Sequence, residues 1–390
     1  MNNKKKWIAL TIVAVLVTNT ITLFGTKSYI VNNSKIGRFY KLFQVENDLY
    51  RYYDGNINES DLVEGAIKGM TSALNDPYTV FMNKKEFDEF NTQTEGNYSG
   101  VGIHVQAKDD KIIIADVIED SPAKKAGILP KDEIEKVNNT QVTGKELDNA
   151  VALMKGKEGK EVTLTLNRSG KGVFDVKLNT AKINLVTVKG EMIDSNVGYI
   201  QISMFDENTA KNLKSKLEEL KGKGMKSLII DLRGNPGGLL NECVDMVSNF
   251  LQKDKVVVST IDKYKNKQEY KSKVNGEFVG LPLTVLTNVG SASASEIFSG
   301  AIRDYKIGTL VGEKTFGKGV VQTMLDTGNG TALKVTVSKY YTPKGENIHH
   351  IGIKPDVEVT YPDELRKKEY DRSADPQFNK ALEIARTKIK

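Results

Sequence analysis

The pattern of apolar and polar positions divides the chain into five stretches of different character. Lys4, Lys5 and Lys6 precede an uncharged apolar run, WIALTIVAVLVTNTITLF, from Trp7 to Phe24. As a helix these 18 residues would span roughly 27 Å at ~1.5 Å per residue, close to the ~30 Å hydrocarbon core of a bilayer. Basic residues on the N-terminal side place that end inside and the remainder outside. A cleaved signal peptide is the rival, but the run is long for one and no A-x-A site follows. The expectation for residues 1–34 is a cytoplasmic basic end and an uncleaved single-pass anchor with an extracytoplasmic body. The alternative is secretion after signal cleavage.

Residues 35–95 carry helical spacing, in FYKLFQVENDLYRYY and again in DLVEGAIKGMTSAL, which Asn75-Asp76-Pro77 terminates. Residues 96–182 change period. GVGIHV, KIIIADVI, EIEKVNN, VTLTLNR and VFDVKLN are short β-rich runs separated by turn residues, with one amphipathic helix, KELDNAVALMK, among them. Residues 183–362 alternate the two periods. NVGYIQIS, KSLIIDLRG and LPLTVLTN read as strands, while ENTAKNLKSKLEELKGKG, GLLNECVDMVSNFL and SEIFSGAIRDY read as helices, the pattern of an α/β core. Residues 363–390 end in an amphipathic helix, DPQFNKALEIARTKIK. The fold class is a multidomain α+β chain.

Composition narrows the chemistry. The 390 residues are 39% hydrophobic and 27% charged, a globular balance with room for more than one core. A net charge of +6 on scattered lysines, without interleaved aromatics, argues against nucleic-acid binding. The single cysteine, Cys243, sits in an apolar helical run, so neither a disulfide framework nor a CxxC metal pair exists. Histidine occurs only at 104, 349 and 350. No metal or cofactor is implied.

The stretch NVGSASASEIFSG, residues 288–300, follows one predicted strand and opens one predicted helix. A serine there presents its hydroxyl at the sheet edge, beside free N–H groups. A helix cap explains one serine but not three. A nucleophilic serine needs a base. His349 and His350 lie in a polar turn, whereas Lys318 stands between two glycines in TFGKGVVQ. Glycines permit close backbone approach, and a desolvated lysine becomes a neutral base. DLRGNPGG, residues 231–238, presents bare amides suited to an oxyanion, with Asp231 and Arg233 paired to hold the turn.

In this order, these motifs resemble the carboxy-terminal processing proteases, the tail-specific S41 serine peptidases. LVEGAIKGM and NDPYTVFM resemble that family's N-terminal helical segment. NYSGVGIHV through KGKEGKEVTLTLNR resembles its PDZ domain, and GIKPDVEV and DPQFNKALE its closing segments. The resemblance implies a PDZ domain at 96–182 and a ClpP/crotonase-like peptidase core at 183–362. It implies Ser293 as nucleophile, Lys318 as base and Gln322 as the residue orienting the lysine. The oxyanion hole would use the amides of Ala294 and of Gly237 or Gly238. Ser291 and Ser295 would serve the turn, and the histidine pair would stay clear of the dyad. Ser99, Gly100, Val101, Gly102 and Ile103 would hold a substrate's terminal carboxylate, with the helix at 145–155 as the groove's other wall. Partners would be proteins or peptides with free C-termini and the membrane. The resemblance also suggests PDZ-gated activity and a homodimer. The rival class is an inactive PDZ scaffold, which predicts loss of the serine, lysine or glutamine. All three are present.

Overall fold

The computed structural model describes residues 3–33 and 35–389. Residues 1, 2, 34 and 390, which the expected basic end, anchor and C-terminal helix include, lie outside the described residues. So do the side chains of Lys4 and Lys5. The chain forms two compact units that divide after Pro77.

The first unit is helical. Asn3–Asn33 is one helix, and its window Lys6–Gly25 is long and apolar enough to cross a membrane. Lys35–Tyr52 follows, then Glu59–Ser72, whose start is capped by Asn58 accepting from the Ser60 amide at 3.1 Å.

The second unit opens with a strand where helical spacing was expected. Val80–Met82 pairs antiparallel with Thr331–Tyr341. Three residues are too few to show a period in sequence. The helix Lys84–Glu95 then starts on a capping box, with the Asn83 side chain accepting from the Glu86 amide at 3.0 Å and Glu86 reaching back at 2.9 Å.

The β-rich stretch forms its own sheet. Its strands run in the spatial order Ile103–Lys108, Lys111–Val117, Glu133–Val137, Glu161–Arg168, Gly172–Asn179. Alternate positions Ile112, Ile114, Ile134, Leu164 and Leu166 meet Ala150 and Met154 of the helix Leu147–Met154 in one core. Ile103–Lys108 is an edge strand, so its outer hydrogen-bonding side is unpaired within the sheet.

The remaining residues build two sheets. One holds Val197–Ile202, Ser227–Asp231, Leu283–Thr287, Gly308–Gly312 and Val357–Glu358 in parallel, with Val188–Met192 antiparallel at one edge. Its middle strands Ser227–Asp231 and Leu283–Thr287 are buried at every position because both faces are covered. Leu228 and Ile230 pack with Leu213, Leu217, Val244 and Phe298, whereas Ile229 faces Phe378, Ala381 and Ala385 of the C-terminal helix Pro376–Thr387. Cys243 is buried in the first of these clusters. The other sheet is antiparallel and includes the hairpin Val320–Gly328 and Thr331–Tyr341, joined to Val256–Asp262 and Lys267–Lys271. Lys318 enters this hairpin, and the helix Ala294–Asp304 leaves the parallel sheet, so the two meet at the junction of the sheets.

Candidate active site

The three serines separate by environment. Ser291 is fully buried; its Oγ donates to the Leu232 carbonyl at 2.8 Å and accepts from the Asn288 amide at 3.0 Å. Ser295 is also buried and donates to the Asn235 carbonyl at 3.0 Å. These outer serines fasten the helix start to the DLRGNPGG turn, as the sequence suggested. Ser293 alone lines a cleft, at φ 55° and ψ −113°. An L-residue held there costs on the order of 1–3 kcal/mol, and such strain clusters at functional sites.

That turn is built to approach Ser293. Arg233 pairs with Asp231 at 2.7 Å and with Asp375 at 2.7 Å, locking the turn to the start of the C-terminal helix. Asn235 is buried, donating to the Ile202 carbonyl at 2.8 Å and accepting from the Gly237 amide at 2.9 Å. Any Cβ on Gly237 would stand 2.8 Å from the Ser293 Cβ and 2.9 Å from the Ala294 nitrogen, so only glycine fits. The Gly237 carbonyl accepts from the Phe205 amide at 3.0 Å, and the Leu239 amide donates to the Phe205 carbonyl at 2.8 Å. Gly238 is thus the bridge partner of Phe205 in parallel pairing, in which the bonds go to its two neighbours and its own amide points to the other edge. The Gly238 amide therefore faces away from Phe205 and has no acceptor among the described residues. Ala294 N–H, first in its helix, has no intrahelical acceptor either.

Glu296 is the residue that sequence reasoning missed. It is fully buried, and its carboxylate accepts four hydrogen bonds. Oε1 takes the Thr315 hydroxyl at 2.6 Å and the Gly317 amide at 2.8 Å. Oε2 takes the Ser293 amide at 2.9 Å and the Lys318 amide at 2.8 Å. Burial pushes the carboxyl above its ordinary range, and these four donors oppose that. One oxygen thus ties the backbone of residue 293 to that of residue 318. The Tyr340 hydroxyl adds a bond to the Ser293 carbonyl at 3.1 Å. A glutamate in a first helical turn normally reads as a cap, which hid this role.

Lys318 carries its Nζ 5.0 Å from the centre of the Tyr78 ring. The histidine pair lies closer than expected. The His350 amide donates to the Gly317 carbonyl at 2.8 Å, and the His349 ring stands 6.3 Å from that of Tyr78. A Cβ on Gly319 would lie 2.5 Å from the His349 nitrogen. The polar turn folds back because glycines at 317 and 319 leave room for its backbone.

Ser293, Lys318 and Gln322 line one cleft of about 440 Å³ with Gly237 and Gly238. Its walls are largely apolar, including Met204, Phe205, Leu240, Ile297, Val321 and Met324. The Gln322 amide reaches the Thr336 hydroxyl at 3.4 Å.

The five residues expected at the terminal-carboxylate site occupy three settings. Ser99 and Gly100 belong to a two-stranded ribbon with Ala181–Asn184, and Ile103 starts the edge strand. Between them the Val101 carbonyl accepts from Ala123 at 2.9 Å, and the Gly102 carbonyl accepts from Ile118 at 3.0 Å. The Val101 and Gly102 amides have no acceptor among the described residues. Gly102 has φ 85° and abuts the Ser121 side chain, leaving no space for a Cβ. The Gly144 amide, just before the helix Leu147–Met154, bonds the Asp110 carbonyl beyond the edge strand at 2.8 Å.

A mixed α+β core with an apolar cleft, joined to a small β-rich module with an open strand edge, defines the architecture of a peptidase that carries a peptide-binding domain. Family models match as peptidase family S41 over residues 196–359, as a PDZ domain over 99–185, and as the N-terminal domain of the activating protease CtpB over 21–86. The carboxy-terminal processing protease CtpA of Bacillus subtilis (strain 168) is 40% identical over 373 residues, 93% of this chain and 79% of that protein. A CtpA-like serine protease of Staphylococcus aureus (strain COL) is 39% identical over 374 residues, 92% of this chain and 73% of the relative. A structure assigned to the S41 proteases of Bacteroides fragilis covers 86% of this chain and 93% of its own at a TM-score of 0.51 and 18% identity, a likeness of fold. The chain belongs to the S41 peptidases, among the carboxy-terminal processing proteases.

Proposed function

We propose that this chain is a membrane-anchored, extracytoplasmic serine endopeptidase that cuts protein tails with Ser293 and Lys318. The observation that carries the reading is the shared Glu296 oxygen. It fixes the backbones of residues 293 and 318 at the mouth of one cleft.

Ser293 Oγ attacks the substrate carbonyl while neutral Lys318 Nζ takes its proton. The oxyanion forms against the amides of Ala294 and Gly238; Gly237 shapes the approach, since its own amide is held by Asn235. Lys318 then protonates the leaving amine, and water frees the acyl group by the reverse sequence. Gln322 orients the lysine once substrate fills the cleft, releasing Thr336. The PDZ module adds a substrate tail along Ile103–Lys108 and takes its terminal carboxylate at the Val101 and Gly102 amides. The apolar helix Lys6–Gly25 supplies the anchor.

The test is cleavage of a free-acid tail peptide by single variants of the intact chain. Ser293→Ala and Lys318→Ala are each expected to lose at least about 10³-fold in kcat, with circular dichroism unchanged. His350→Ala is expected to stay within a few-fold of wild type. Abolition by a histidine variant with Lys318→Ala tolerated would remove the dyad.

A further inference from the structure

We propose that Lys334 is a specificity-determining residue that binds a substrate carboxylate inside the cleft. This rests on the peptidase reading and names a chemical preference within it. Lys334 lines the same cleft as Ser293. Its Cα faces Met324 across the hairpin, while Thr336 faces Gln322. Residues two apart on a strand share a face, so Lys334 and Thr336 line the face that carries Gln322 and Met324. The lysine thus sits further along the floor from the reacting end.

Its surroundings leave its charge unanswered. The ammonium lies 5.1 Å from the centre of the Phe90 ring, and no carboxylate pairs with it among the described residues. The cleft lining contains no aspartate or glutamate. Burial, with no neighbouring charge to oppose it, depresses the lysine's proton affinity. Holding a cation in an apolar cleft without a counterion is costly. Phe90 offsets part of that through its ring face. A carboxylate arriving with the ligand offsets more, and a site lacking it rejects the neutral analogue. Lys318 must be neutral to act as base, so Lys334 is the charge that a bound peptide meets.

Two sources supply that carboxylate: an acidic side chain near the cleaved bond, or the terminus of a short tail. Two sets of peptides separate them. In one, glutamate is exchanged for glutamine at each position flanking the cleaved bond. In the other, a short tail is compared as free acid and amide. For the wild type, the acid form is expected to lead in kcat/KM by about ten-fold or more in one set, the scale of a charge-assisted hydrogen bond. Lys334→Met keeps the apolar stem and should bring that ratio below about two-fold, while Lys334→Arg should retain it. Lys334→Glu should favour a lysine-bearing peptide. The ratio is the readout, so a general loss of rate in a variant does not imitate the effect. Carboxylate capture by the PDZ module is separated too, because it persists in Lys334→Met. A ratio unchanged in Lys334→Met, or near one in both wild-type sets, overturns the proposal. The same pairs titrated against Ser293→Ala by fluorescence anisotropy decide the point without turnover. Should peptides bind with the expected ratio but never be cut, the peptidase reading fails and the carboxylate site stands.

Discussion

Single residues set the chemistry here through what they fasten. The three serines that alternate with alanines have different tasks: Ser291 and Ser295 hold carbonyls of the neighbouring turn, and Ser293 is held strained at a cleft. Ser293 and Lys318 stood out in sequence through the order of motifs that resembles the family, with the glycines beside Lys318 as local support, and the structure brings both to one cleft. Glu296 and Asn235 did not, since a buried carboxylate or amide is defined by donors distant in sequence. Glu296→Gln tests that fastening. It sets an NH₂ group against two donors, leaving each without an acceptor at about 1–3 kcal/mol. We expect kcat to fall about 10²-fold with KM changed little, because displaced groups misalign the reacting atoms. A variant with normal kcat and lowered thermal stability would make Glu296 purely structural.

At the scale of elements, the readable parts were those with a sustained period. SLIID and LTVLT are buried at every position because helices cover both faces, and their apolar residues outnumber the rest enough to read as strands. The strand Val80–Met82 was missed because its identity comes from pairing with Thr331–Tyr341, not from its own residues. The β-rich module contains a buried carboxylate whose ion pair is not revealed by spacing. Asp132 is buried, and Arg168 grips it through Nε at 2.6 Å and a second nitrogen at 2.7 Å, while the Leu129 amide donates at 2.9 Å. Burial alone would raise the Asp132 carboxyl, but these donors hold it below its ordinary value of 3.8. A depressed carboxyl contributes stability above its unfolded value and loses it as pH falls through the folded one. Asp132→Ala is expected to cost about 1–3 kcal/mol by removing the acceptor of the Leu129 amide and of Arg168, and to flatten the acid limb below about pH 4 in urea unfolding. An unchanged acid limb would show that the pair contributes nothing.

For the whole molecule, the order of motifs carried more information than any one of them. An anchor-like run, helices, a β-rich module and an α/β core in that order pointed to one family, and the relatives match over most of the chain. The geometry inside the cleft was not legible, because it depends on where two sheets meet. If the apolar helix is retained as an anchor, mature protein should fractionate with membranes and keep residues 1–30. N-terminal sequencing that begins after about residue 25 would show a cleaved signal instead. The most direct test of the central claim is to acid-quench the intact enzyme during turnover of a tail peptide and map the covalent acyl adduct by mass spectrometry. The account predicts an adduct on the segment containing Ser293, absent from both Ser293→Ala and Lys318→Ala. An adduct on any other residue, or turnover at the full rate by Ser293→Ala, would contradict it.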